Sequence, residues 1–189
     1  NHQFLKFVLS YKNSYQKDKP FNPFYEFDWP LYKTCAGKIF IENQEKDSII
    51  DVFDVNGDRL FSFGQDLEQK KVTAEDKRIY TNFFKNSRGF REYYEENKRF
   101  FKYPDYFPKI RDFRLADNKV YVLTYETKGR YTRFVIYDMS SGKRLEEKMV
   151  PLQKSDELFY YRFSIKDGKL YQWFWNEDNE VWELHVTPL

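Results

Sequence analysis

The chain is poor in the residues that carry most metal and covalent chemistry. One cysteine, Cys35, excludes an internal disulfide and a zinc cluster built from thiolates. The two histidines, His2 and His185, do not form a pair at metal-ligand spacing, so no metal and no cofactor is expected. Seven glycines stand singly in turns, without a phosphate-cradling run or a Gly-x-Ser-x-Gly elbow. No apolar run approaches the ~18 residues a membrane helix needs, so no transmembrane segment is expected. Charge of one sign is also missing. Thirty-two basic residues face 30 acidic ones, which argues against a broad basic surface and a nucleic-acid partner.

Aromatic residues are abundant. Twenty Phe, 16 Tyr and 4 Trp make 21% of the 189 residues, enough apolar surface to offset chain entropy, so the chain folds. Its length suits one domain or two small ones.

Three segments share a pattern of turn, Lys, apolar strand, polar loop, apolar strand. The first contains Cys35-Ala-Gly-Lys-Ile-Phe-Ile and Ile49-Ile-Asp-Val-Phe-Asp. The second contains Ala116-Asp-Asn-Lys-Val-Tyr-Val-Leu and Arg133-Phe-Val-Ile-Tyr-Asp, and the third Lys166-Asp-Gly-Lys-Leu-Tyr-Gln-Trp and Val181-Trp-Glu-Leu-His-Val. In the first two a further turn and strand follow. Asn56-Gly57, Asp117-Asn118 and Asp167-Gly168 suit the positive φ of tight hairpins. Residues 120–123 and 134–137 are apolar without alternation, which predicts strands covered on both faces. Candidate strands at 29–34, 110–115 and 158–165 precede the three segments. Each unit then becomes a four-stranded meander of roughly 40 residues, the third one shorter, which is the size of a propeller blade; a plain antiparallel sandwich is the alternative.

A helical stretch interrupts this pattern at about residues 73–100. Thr73-Ala-Glu-Asp reads as an N-cap with acidic residues in the first turn. Ile79, Tyr80, Phe83 and Phe84 follow at helical spacing, Ser87-Arg88-Gly89 interrupts, and a second helix runs over 90–99 until Pro104 and Pro108. The expected division is residues 1–28 as outer strands of a preceding blade or an N-terminal extension, 29–66 as a blade, 67–105 as the helical insertion, 106–152 as a blade and 153–189 as a C-terminal blade. Within 1–28, residues 4–10 and 24–27 are candidate strands joined by a polar loop at 11–18.

Tyr103-Pro-Asp-Tyr-Phe-Pro-Lys-Ile-Arg-Asp-Phe, Asn118-Lys-Val-Tyr-Val-Leu-Thr-Tyr and Phe134-Val-Ile-Tyr-Asp resemble the bacterial six-bladed β-propeller proteins of NHL-like type, over about residues 29–189. The resemblance implies an all-β fold of antiparallel four-stranded blades and, by family habit, an extracytoplasmic location. It supplies no catalytic motif. Six blades need roughly 250 residues, and three are counted here. The chain opens on Asn1 without a signal pattern and closes in strand-like sequence. It is therefore expected to be a piece of a longer protein, or a half-propeller whose open apolar faces are covered by a second copy or a partner protein.

Little in the sequence points to catalysis. Asp54-Val-Asn56-Gly-Asp58 resembles a calcium loop only superficially, because Arg59 and Gln65 stand where the loop needs glycine and glutamate. The aromatics of the helical stretch are either a stacking surface or a face docked on the sheets. Tyr103, Tyr106, Phe107 and Arg111 lie at the start of an inner strand, where propeller loops gather near the central channel, and are the candidate ligand-binding residues. The function expected is a non-enzymatic binding or scaffold module recognising a protein, peptide or glycan through rim loops. The rivals are a hydrolase or lyase with a carboxylate site in the channel, and a self-assembling structural half-propeller.

Overall fold

The structure is a computed structural model that describes residues 23–24, 31–43, 49–155 and 158–189. The described residues are mostly β, arranged as three antiparallel sheets with a helical excursion between the first two. The first sheet holds β1 (Tyr32–Cys35), β2 (Lys38–Asn43), β3 (Ile49–Asp54) and β4 (Arg59–Phe63). The helices α1 (Ala74–Asn86) and α2 (Arg91–Asn97) follow. The second sheet holds β5 (Asp112–Ala116), β6 (Lys119–Lys128), β7 (Tyr131–Asp138) and β8 (Arg144–Pro151). The third holds β9 (Phe163–Lys166), β10 (Lys169–Asn176) and β11 (Val181–Pro188), three strands among the described residues rather than the four expected of each unit. Each sheet is a meander, every strand pairing with the next in sequence, and none closes on itself.

Turn chemistry explains the meander. The first hairpin of each sheet closes on two residues of positive φ: Ala36 and Gly37 at 49° and 69°, Asp117 and Asn118 at 50° and 58°, Asp167 and Gly168 at 51° and 65°. This mirror-image turn matches the right-handed twist of the flanking strands. The Asn56-Gly57 turn differs from expectation, since only Gly57 has positive φ, at 80°. Its shape is held by Asp54, whose carboxylate accepts from the backbone N–H of Asn56 at 2.9 Å and of Asp58 at 2.8 Å. That carboxylate is therefore spent on its own hairpin. Among the described residues no group of three or more acidic, His or Cys side chains is placed to hold a metal ion.

The three leading strands depart from their expected bounds. β1 begins at Tyr32, with residues 29 and 30 outside the described set, and β5 occupies Asp112–Ala116 rather than 110–115. The candidate at 158–165 contracts to Phe163–Lys166. Upstream of it the backbone bonds elsewhere: Tyr160 bridges Lys154, and the carbonyl of Tyr161 accepts from the buried side chain of Gln172 at 3.0 Å. Residues 1–22 and 25–28, including the candidate strand 4–10, most of 24–27, the loop 11–18 and His2, lie outside the described residues.

Period-two alternation turns the apolar runs into two packed interfaces. Val120, Val122, Val135 and Tyr137 point from the second sheet toward Phe40, Ile50, Val52 and Phe63 of the first. Their neighbours Tyr121, Leu123, Phe134 and Ile136 point the other way, toward Ile165 and Leu170 of the third. The second sheet is thus covered on both faces. The outer face of the third sheet is not: Trp173, Trp182, Leu184 and Val186 are 54%, 60%, 45% and 47% exposed. Trp173 is thus not packed between two described sheets.

The helical excursion starts as expected. Thr73 and Asp76 form a reciprocal capping box, with Thr73 Oγ1 accepting from Asp76 N–H at 3.1 Å and Asp76 Oδ2 accepting from Thr73 N–H at 2.9 Å. Phe84, Tyr80 and Tyr94 form an aromatic cluster with Phe24, Phe107 and Leu158. The aromatic face of the helices is therefore packed on the segments leading into β5 and β9 and on Tyr125 of β6. No helix among the described residues is long and apolar enough to cross a membrane.

Candidate functional site

The leading strands of the three sheets come together. β5 lies against β1 on one side and β9 on the other, and no comparable contact joins the outer strands β4, β8 and β11. A cavity of about 540 Å³ opens where the segments feeding these strands converge. Leu31 leads into β1 and Glu42 belongs to β2; Ile110, Arg111, Asp112 and Arg114 come from β5 and its lead-in; Leu123 and Tyr125 from β6; and residues 159–163 from the start of β9 and its lead-in. Tyr80 of α1 and Phe24 close one wall.

The lining carries three arginines and two carboxylates, in different states. Arg114 is paired: its Nη1 donates to Asp112 Oδ1 at 2.5 Å, and its guanidinium lies 4.5 Å from the ring centre of Phe163. The two alternate along β5, which puts both on the cavity side while Phe113 turns into the first core. Glu42 is buried in the wall, 2% exposed. Arg162 is exposed and has no ion pair among the described residues.

Arg111 is held differently. Its guanidinium lies against two tyrosine rings, 4.4 Å from the centre of Tyr160 and 5.3 Å from that of Tyr125. Tyr125 in turn stacks on Phe107 at 4.5 Å with only 18° between the planes. Tyr160 is fixed from behind by its hydroxyl, 2.7 Å from Thr132 Oγ1. Arg111 Nη2 donates to the carbonyl of Leu158. Arg111 thus contacts Tyr125, itself stacked on Phe107, and Tyr160. Its cation is stabilised by ring faces, and no carboxylate faces it among the described residues.

The four residues singled out from sequence separate in space. Arg111 lines the cavity, and Phe107, 2% exposed, supports it from the second layer through Tyr125. Tyr103 belongs to the helical cluster, where its hydroxyl meets Thr81 Oγ1 at 2.7 Å and burial pushes its phenol pKa up. Tyr106 is 49% exposed and does not line the cavity. Arg114, Arg162, Tyr125 and Tyr160 did not stand out in the sequence. One signal was available: Asp112-Phe-Arg114 at the start of a strand puts two charges on one face with an aromatic opposed. Tyr125 and Tyr160 carried none, being two among 16 tyrosines.

No protein-family model matches the chain, and no curated protein matches it in sequence.

Proposed function

We propose that this chain is a non-enzymatic binding module of propeller type, and that its recognition site is the arginine-rich cavity where the three leading strands meet. One observation carries the reading: β5 with its lead-in, and the lead-ins to β1 and β9, far apart in sequence, bring three arginines and several aromatic rings to one recess. Concave sites lined by rings with a few oriented polar groups are typical ligand pockets. The blade-like meanders, their adjoining first strands and the resemblance of residues 103–113, 118–125 and 134–138 support the propeller architecture, of which these sheets are three blades.

Recognition is favoured over turnover by the state of the lining. Asp112 is occupied by Arg114, Glu42 is buried in the wall at 2% exposed, and the lining offers no histidine, thiol or aliphatic hydroxyl among the described residues. A hydrolase or lyase needs a free acid or base at the reacting bond. Peptide and glycan arrays probed with the parent and with Tyr161→Ala test the site. Binding by the parent that the variant loses, while keeping the parent's melting temperature, supports it; ligand turnover, or binding insensitive to the variant, overturns it.

A second reading rests on the outer face of the third sheet. Trp173, Trp182, Leu184 and Val186 form an apolar surface larger than isolated exposed residues make. A further sheet of the same kind belongs there, supplied by additional blades, a second copy or a partner protein. Light scattering separates these: a monomer binding no hydrophobic dye overturns the reading, a dimer dispersed by Trp182→Lys identifies the second copy, and a dye-binding monomer points to additional blades or a partner.

A further inference from the structure

The cavity's unmatched positive charge points to its ligand class. This inference rests on the cavity being the recognition site, and goes further by naming what binds. Arg114 is neutralised by Asp112 at 2.5 Å. Arg111 is half-buried, and only its Nη2 is engaged, by the Leu158 carbonyl. Its Nε and Nη1 donors have no hydrogen-bond partner among the described residues. Arg162 adds a second cation at the same recess. Glu42 is the remaining carboxylate in the lining, so the formal balance stays positive.

A guanidinium taken partly out of water without an anion is unfavourable, and here ring faces offset only part of that cost. Resting on Tyr125 and Tyr160 and tethered to Leu158, it loses little further freedom on binding. Its planar fork of open N–H donors matches a carboxylate. The rest of the lining is largely apolar, with Phe159, Tyr161 and Leu123 contributing carbon surface.

We infer that the cavity binds a ligand with a carboxylate head and an apolar body, the carboxylate held by Arg111 with Arg162 in support. A free organic acid and the C-terminus of a peptide ending in an apolar residue share this chemistry.

Isothermal titration with 4-phenylbutyrate, its neutral amide, and a short peptide ending in Phe with a free or amidated C-terminus tests the inference. The acid or the free-ended peptide is expected to bind about tenfold or more tightly than its amide, since charged hydrogen bonds differ from neutral ones by that order. Arg111→Gln should remove that preference, and Arg162→Gln, at an exposed position, should reduce it about two- to fivefold. Added salt should weaken the acid and not the amide. Tighter binding of the free-ended peptide than of the small acid identifies a peptide terminus as the source; the reverse identifies a free acid. Equal binding of acid and amide, or an acid affinity unchanged in an Arg111→Gln protein that melts like the parent, overturns the carboxylate assignment. If Tyr161→Ala still abolishes amide binding in that case, the cavity survives as the binding site. If neither acid nor free-ended peptide binds, the inference fails, whatever the arrays show for the cavity.

Discussion

Gln172 is fully buried in β10, yet every polar atom of its amide is used. Its Oε1 accepts from the N–H of Gln153 at 2.8 Å, and its Nε2 donates to the carbonyls of Gln153 and Tyr161 at 2.9 and 3.0 Å. The side chain thus takes the place of a strand partner for the feeder segment that carries Tyr160 and Arg162 to the cavity. Gln172→Leu should cost about 2–4 kcal/mol in urea denaturation, because several backbone groups lose their partner out of reach of water. It should also weaken ligand binding more than its stability loss alone explains. A variant as stable as the parent would show that water replaces the amide.

At the scale of elements, polar side chains join sheet to sheet. Tyr137 of β7 donates its hydroxyl to Asp66 Oδ1 at 2.9 Å, and Arg144 of β8 reaches Asp66 Oδ2 at 2.9 Å. Arg144 and Arg133 both grip Glu147 at 2.6 Å. Partial burial pushes Asp66 up, but the bonds from Arg144 and Tyr137 outweigh it and hold its carboxyl below the usual range. The Arg133 hydrogen bond does the same for Glu147. Both folded-state values lie below the unfolded ones. Their stabilisation is therefore complete above roughly pH 4–4.5 and drains away as pH falls through the folded values. Tyr137 has the opposite sign: burial, then the Asp66 contact, raise its pKa, so its contribution is present below about pH 10 and lost above. Thermal melts should be flat between pH 5 and 8 and fall at lower pH, with a shallower acid slope for Asp66→Asn; a parallel slope would remove Asp66 from the acid response.

The β7–β8 turn gives a second element-scale case. A Cβ on Gly142 would sit 3.0 Å from Phe63 and 3.1 Å from the ring of Phe61, at a φ of +70°. Gly129, at +60°, has open space around it. Gly129→Ala should therefore cost about 1 kcal/mol from backbone strain alone, and Gly142→Ala about 2 kcal/mol or more, since β4 must also shift. Equal losses by chemical denaturation would mean that this turn does not press on the first sheet.

For the whole molecule, stability comes from stacked sheets, the middle one covered twice. Phe134→Asp or Ile136→Asp should unfold the second and third sheets together, since an unpaired charge between them costs several kcal/mol, roughly. Trp173→Lys on the outer face should change stability by less than about 0.5 kcal/mol. Circular dichroism melts of the two classes check this, and the contrast fails if both unfold or both are tolerated.

The legible part was local. Turn pairs such as Asp117-Asn118 and Asp167-Gly168, β-branched and aromatic runs, and the Thr73 cap each specify backbone conformation within a few residues, so strands, helices and the covering of the middle sheet followed from the chain itself. Which of 16 tyrosines flank Arg111 did not, because Tyr125 and Tyr160 belong to elements that meet only after the sheets stack. Nor did the exposure of Trp173, whose strand has the same alternation as a buried one. Period and turn chemistry act between near neighbours and are written in composition. A cavity, a cation left without its anion, and a face left bare are properties of surfaces brought together from distant parts of the chain, so only the tertiary structure decided them.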